Sequence, residues 1–124
     1  MPGLLDAVRE FWRALAPESH EAEPVVHVLD VWRTEFRWRG PALTVDRRRR
    51  AVMRGGRVVA TLAEIRSVDV VHLRADDDDP ERWKVSLSTG FFAGVAIGTT
   101  SIDVEASIAA ARLATVLGVK VRAL

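Results

Sequence analysis

The sequence predicts an α+β domain, mainly β, in which about seven short antiparallel strands are followed by a C-terminal helix and preceded by an additional amphipathic helix. Three observations predict it. Between residues 32 and 100 apolar and polar side chains alternate with period two, as in half-buried strands. Glycine and proline cut that stretch into short runs joined by turns. In the first sixteen residues, and again from Asp103 onward, the apolar spacing changes to three and four, the period of a helix. At 124 residues, with 48% hydrophobic and 28% charged residues, the chain suits one domain with a single core.

Leu4, Val8, Phe11 and Leu15 form the apolar stripe of the first helix, with Leu5 and Trp12 beside it and Asp6, Arg9, Glu10 and Arg13 opposite. Those charges are balanced, which argues against docking on an anionic membrane. They also interrupt the run too often for a signal peptide or a membrane span. An acidic linker, "PESHEAEP", follows, so residues 1–24 read as helix and linker and residues 25–124 as the main domain.

"VVHVLDV" fits a helical stripe through Val25, Val28, Leu29 and Trp32, but its β-branched residues favour a strand. Trp32, Thr34, Phe36 and Trp38 then point to one face, with Arg33, Glu35, Arg37 and Arg39 on the other. Gly40 and Pro41 end that strand, and "ALTVD" resumes with Leu43 and Val45 inward. Four arginines make the next turn, "AVMR" returns, and Gly55-Gly56 turns into "RVVATL". "SVDVVHLR", the loop "ADDDDPER", "WKVSLS" with Trp83, Val85 and Leu87 inward, and "FFAGVAIGT" complete the sheet region.

The closing helix begins near Asp103, a candidate cap, and ends at Gly118. Its stripe Ala106, Ala110, Ala114 and Leu117 predicts a smooth buried face, opposite Glu105, Ala109, Arg112 and Val116. Gly90, Gly94, Ala96 and Gly98 on the preceding strand predict an equally smooth surface for that face to meet.

Seven strands followed by one helix, together with "LTVDRRRRAVMR", "TLAEIRSVDV", "WKVSLST" and "ASIAAARLATVLGVKV", resemble the pleckstrin-homology (PH) superfold, in particular small bacterial PH-like domains, over roughly residues 31–122. The resemblance implies two orthogonal sheets forming a partly open barrel, with the helix plugging one end. Among such domains some bind phosphoinositides, others bind peptides or proteins, and bacterial ones often form homo-oligomers, so the fold does not choose the function. Two departures stand out. The turn that would carry the phosphoinositide-binding basic residues is the short Gly40-Pro41 turn, flanked only by Arg37 and Arg39, and the closing helix has no tryptophan.

Chemistry is sparse. The chain has no cysteine, which excludes disulfides and thiolate sites and makes the cytoplasm the simplest compartment. His20, His27 and His72 have no i, i+4 pairing, and none of the six serines stands in a recognisable nucleophile setting. No catalytic residue, cofactor or metal is therefore assigned. Asp76, Asp77, Asp78 and Asp79 lack the glycine and glutamate spacing of a calcium loop and read as a solvated tip.

Net charge is +1, but residues 31–57 hold nine arginines against Glu35 and Asp46. Arg37, Arg39, Arg47, Arg48, Arg49 and Arg50 are the candidate contacts for an anion or a partner, and Asp76 to Asp79 the candidate acidic partner loop. The leading expectation is a non-enzymatic, self-associating interaction module. Binding of anionic lipid headgroups or nucleic acid through the arginine hairpin is the alternative.

Overall fold

The computed structural model describes residues 22–90 and 94–124. The expected N-terminal helix and the linker up to residue 21 lie outside the described residues. The remainder is α+β and mainly β, with two separate sheets and one C-terminal helix, and no closed barrel among the described residues.

Sheet one is a meander: β1 (Val25–Val28), β2 (Arg33–Arg37), β3 (Leu43–Asp46), β4 (Ala51–Arg54) and β5 (Arg57–Thr61), each antiparallel to the next. Its turns follow from their residues. Gly55 and Gly56, at φ 58° and 77°, supply the two positive dihedrals that a tight two-residue hairpin needs. A turn of 3-10 helix at Leu62–Glu64 leads out of the sheet, held by Thr61 Oγ1 donating to Glu64 Oε1 at 2.7 Å.

Sheet two takes the order β8-β7-β6-β9, formed by β6 (Ser67–Leu73), β7 (Arg82–Ser88), β8 (Val95–Thr100) and β9 (Lys120–Ala123). Helix α1 (Asp103–Leu117) lies across it and crosses from β8 to β9, which runs parallel to β6. After Gly118 the segment VKVRA alternates Val119, Val121 and Ala123 with Lys120 and Arg122, a run so short that no strand is expected there from sequence, whereas the structure forms β9.

Phe36, Trp38, Leu43 and Val45 from sheet one, Val68, Val85 and Leu87 from sheet two, and the small face of α1 share one core. Burying side chains of this size contributes roughly 1.5–3 kcal/mol each before conformational entropy is set against it.

Three expectations are corrected. Trp32 does not join Thr34, Phe36 and Trp38 in the core. Asp30 Oδ1 accepts the amides of Trp32 and Arg33 at 2.9 and 2.7 Å, which holds Trp32 in the β1–β2 turn with 47% of its surface exposed.

The glycine surface of β8 does not meet the helix. The β7/β8 register shifts between Val85 and Ser86, pairing Val85 with Gly98 and Ser86 with Ala96, and Ile97 is buried instead. A Cβ on Gly98 would sit 2.9 Å from the ring of Trp38, so the space beside this glycine is taken by the other sheet.

The buried arc of α1 comprises Ala106, Ala109, Ala110, Leu113 and Ala114, and it includes Glu105, which the apolar pattern places outside. Gly118 ends the helix as expected, at φ 70°, with Val119 N–H bonding to Ala114 O at 3.1 Å. Asp103 is the first helical residue, and Ile102 precedes it as the cap position.

Candidate functional site

Arginine side chains from outside α1, and one from α1 itself, join the helix to the first sheet and its entry. At the N-terminal end Glu105 is 1% exposed and accepts Arg39 on both oxygens, Trp38 Nε1 at 2.7 Å and the Ala22 amide at 3.1 Å. Burial pushes the Glu105 carboxyl up. The Arg39 guanidinium, the Ala22 amide and the Trp38 indole outweigh it and hold the group below its ordinary value. Midway, Arg112 donates to Pro24 O at 2.5 Å and to Glu23 Oε1 at 3.3 Å. At the far end Arg47 donates to Thr34 Oγ1 and to Val116 O, both at 3.1 Å, satisfying a helix C-terminal carbonyl.

These ties divide the candidate anion contacts. Arg39, at φ 42°, turns inward to Glu105. Arg37 lies on the outer face of β2 against Glu35 at 3.1 Å, at the opposite end of the strand from Arg33, which pairs with Asp46 beside the hairpin. Four residues of strand separate the two ends by about 13 Å. Arg48, Arg49 and Arg50 remain together and exposed on the turn.

The turn itself is built locally. Asp46 Oδ1 accepts the amides of Arg48 and Arg49 at 3.0 and 3.1 Å, and Arg50 adopts φ 55° before β4 begins.

The aspartate tip closes on itself in the same manner. Asp76 Oδ1 accepts the amides of Asp79 and Asp78 at 2.7 and 2.9 Å, which hold its carboxyl below the ordinary value. This loop joins β6 to β7 near the start of α1, since Trp83 pairs with Thr100 just before the helix. The arginine turn lies near the helix end through Arg47. The basic and acidic tips are thus at opposite ends of a helix about 22 Å long.

His27 is exposed on β1, and His20 lies outside the described residues. His72 stacks on Trp83 with ring centroids 4.8 Å apart and meets Glu81 at 2.9 Å. Among the described residues no three His, Cys, Asp or Glu side chains are grouped as metal ligands, and no helix is long and apolar enough to cross a membrane.

The most unusual surface is apolar. All four residues of β1 are exposed, its outer edge has no neighbour in the sheet among the described residues, and Val28, Val31 and Trp32 are 67%, 81% and 47% exposed. Between β1 and α1 runs a groove lined by Val26, Ala111, Arg112, Thr115 and Val116, with a volume near 400 Å³. A second hollow of about 390 Å³ continues it past Arg112 to Ile108, Glu105 and Pro24.

Sequence reasoning identified neither Glu105 nor the edge of β1 as special. An acid beside Ala106, Ala109 and Ala110 was the available signal for Glu105, because an acid there is exposed at the rim of a smooth face or paired inside it. Comparison of the chain with protein-family models, with curated proteins and with solved structures finds no match.

Proposed function

We propose that this chain is a PH-like interaction module, non-enzymatic, that self-associates through the free edge of β1. The observation that carries the reading is the strand VVHV: exposed at every position, unpaired on its outer side among the described residues, and followed by exposed Leu29, Val31 and Trp32. Edges are ordinarily blunted by lysine, proline, a bulge or a covering element, and β1 contains none of the first three. Antiparallel pairing with β1 of a second copy satisfies both edges at once and closes as a two-fold dimer. The PH-like reading draws support from two mostly antiparallel sheets followed by a helix, while β9, which follows the helix and runs parallel to β6, departs from that pattern.

Amide hydrogen exchange across a concentration series tests it. Protection of the β1 amides rises with concentration while that of β9 stays constant. Association without a change at β1 would assign the contact elsewhere.

The placement of the two charged tips at opposite ends of α1 favours a second mode, in which Arg48 to Arg50 of one copy meet Asp76 to Asp79 of the next. Such a head-to-tail contact propagates into chains unless the rotation closes a ring. The two modes differ in salt response. An ionic contact weakens as the screening length shortens, whereas a valine-rich edge does not. Light scattering at low and high salt separates them, and assembly unchanged by salt rejects the ionic tips. Serine replacements at Arg48, Arg49 and Arg50 address the alternative ligand class, since salt-dependent binding to acidic vesicles or DNA that survives them does not use the turn.

A further inference from the structure

The groove between β1 and α1 has an apolar floor, is open to solvent and lies where the chain enters the domain. Ala22 N–H is fixed on Glu105 Oε2 and Pro24 O on Arg112, so residue 22 stands at the N-terminal end of the groove. The apolar groove around Val26, Ala111, Thr115 and Val116 and the hollow that continues it past Arg112, where Pro24 and Ile108 stand beside the charged Glu23 and Glu105, together extend from Glu105 to Val116, eleven residues of helix or about 16–17 Å. Upstream, Leu4 to Leu15 also span eleven residues, and in helical form their apolar stripe has the same length. Residues 16–21 reach about 20 Å when extended, enough to bring either end of that stripe to the groove.

We propose that residues 4–15 of the same chain lay Leu4, Val8, Phe11 and Leu15 along this groove, covering Val26 and the exposed row of α1. Matching length, the fixed point of entry and the sufficient linker select this segment over a foreign partner. The stripe needs an apolar surface, and the groove supplies one within reach at an effective concentration no separate molecule matches. The contact covers the inner flank of β1 and leaves its hydrogen-bonding edge open, so it stands whether or not β1 pairs with a second copy.

The absence of cysteine throughout the chain gives a direct test. In the full chain, Phe11→Cys with Thr115→Cys is oxidised mildly at low protein concentration beside a control, Phe11→Cys with Lys84→Cys, whose second site is on the sheet face away from α1. Val8→Cys with Ala111→Cys repeats the test in case the first pair perturbs folding. The expected result is an intramolecular disulfide at least tenfold faster than in the control in the mid-groove Val8/Ala111 pair whichever way the stripe runs, and also in the Phe11/Thr115 pair when the stripe runs parallel to α1. Covalent dimers from the groove pairs would place the segment on a second copy and overturn the proposal. Equal rates in groove pairs and control, or no disulfide in either, would also overturn it.

Discussion

β1 and β9 are both four-residue strands at a sheet edge, and every residue of each is exposed, yet they differ in chemistry. β9 reads KVRA. Lys120 and Arg122 charge its edge, and Arg122 is spent on Asp69, to whose two oxygens it donates from Nε and Nη2 at 3.1 and 2.8 Å. β1 reads VVHV and carries no fixed charge. Exposure alone therefore does not mark an interface. What separates the strands is whether docking another strand must first strip water from ammonium and guanidinium groups.

Each edge is anchored to a buried carboxylate, and that gives the comparison its strongest tests. Glu105 fixes the entry to β1 through Ala22 and the end of β2 through Trp38 and Arg39, whereas Asp69 holds β9. Glu105→Gln is expected to have the largest effect, a loss of about 3–5 kcal/mol in urea unfolding, because it leaves the guanidinium of Arg39 buried beside a neutral amide. A loss below about 1 kcal/mol would show the tie to be dispensable.

Acid makes the same comparison without mutation. Burial raises both carboxyls, but Arg39 with its neighbours, and Arg122 with Ser67, bring them net below the ordinary values of 4.5 and 3.8. A depressed carboxyl contributes stability that is present above its unfolded pKa and is lost as pH falls through the folded one. Stability should therefore fall steadily below about pH 4.5, and the Glu105→Gln protein should show a shallower slope. Equal slopes would remove Glu105 from the acid response.

Asp69→Asn acts at the other edge, where the arginine head is half in water, and is expected to be milder. Its signature is local: faster exchange at the Leu124 amide, which bonds to Val70 O at 2.9 Å, with β1 unchanged.

The smallest expected effects lie in the arginine turn. Arg47→Ala should cost about 1 kcal/mol, one hydrogen-bonded tie to the end of α1, whereas Arg49→Ala should stay within about 0.5 kcal/mol. Equal costs would contradict the assignment of Arg47 to the helix.

That turn also shows what was legible. Its position between two strands was readable from "VDRRRRAVM", because Asp46 and the apolar residues flanking the arginines carry period two and a turn signal. The divided roles were not. Four identical side chains have identical local preferences, and only the approach of α1, seventy residues later, singles out Arg47. Strand β2 and the helix end at Gly118 were readable because local pattern and tertiary environment agree there. Trp32, the β8 bulge and Glu105 were misplaced because a turn, a register shift and a partner more than sixty residues away override the local period.

The central claim concerns the edge of β1, and light scattering of the full chain over a concentration series tests it most directly. Three proteins suffice: wild type, Val28→Lys in β1 and Val121→Lys in β9. The account predicts that wild type and Val121→Lys associate alike, while Val28→Lys remains monomeric with its thermal unfolding essentially unchanged. A wild-type chain that stays monomeric at every concentration, or equal loss of association in both lysine variants, would contradict it.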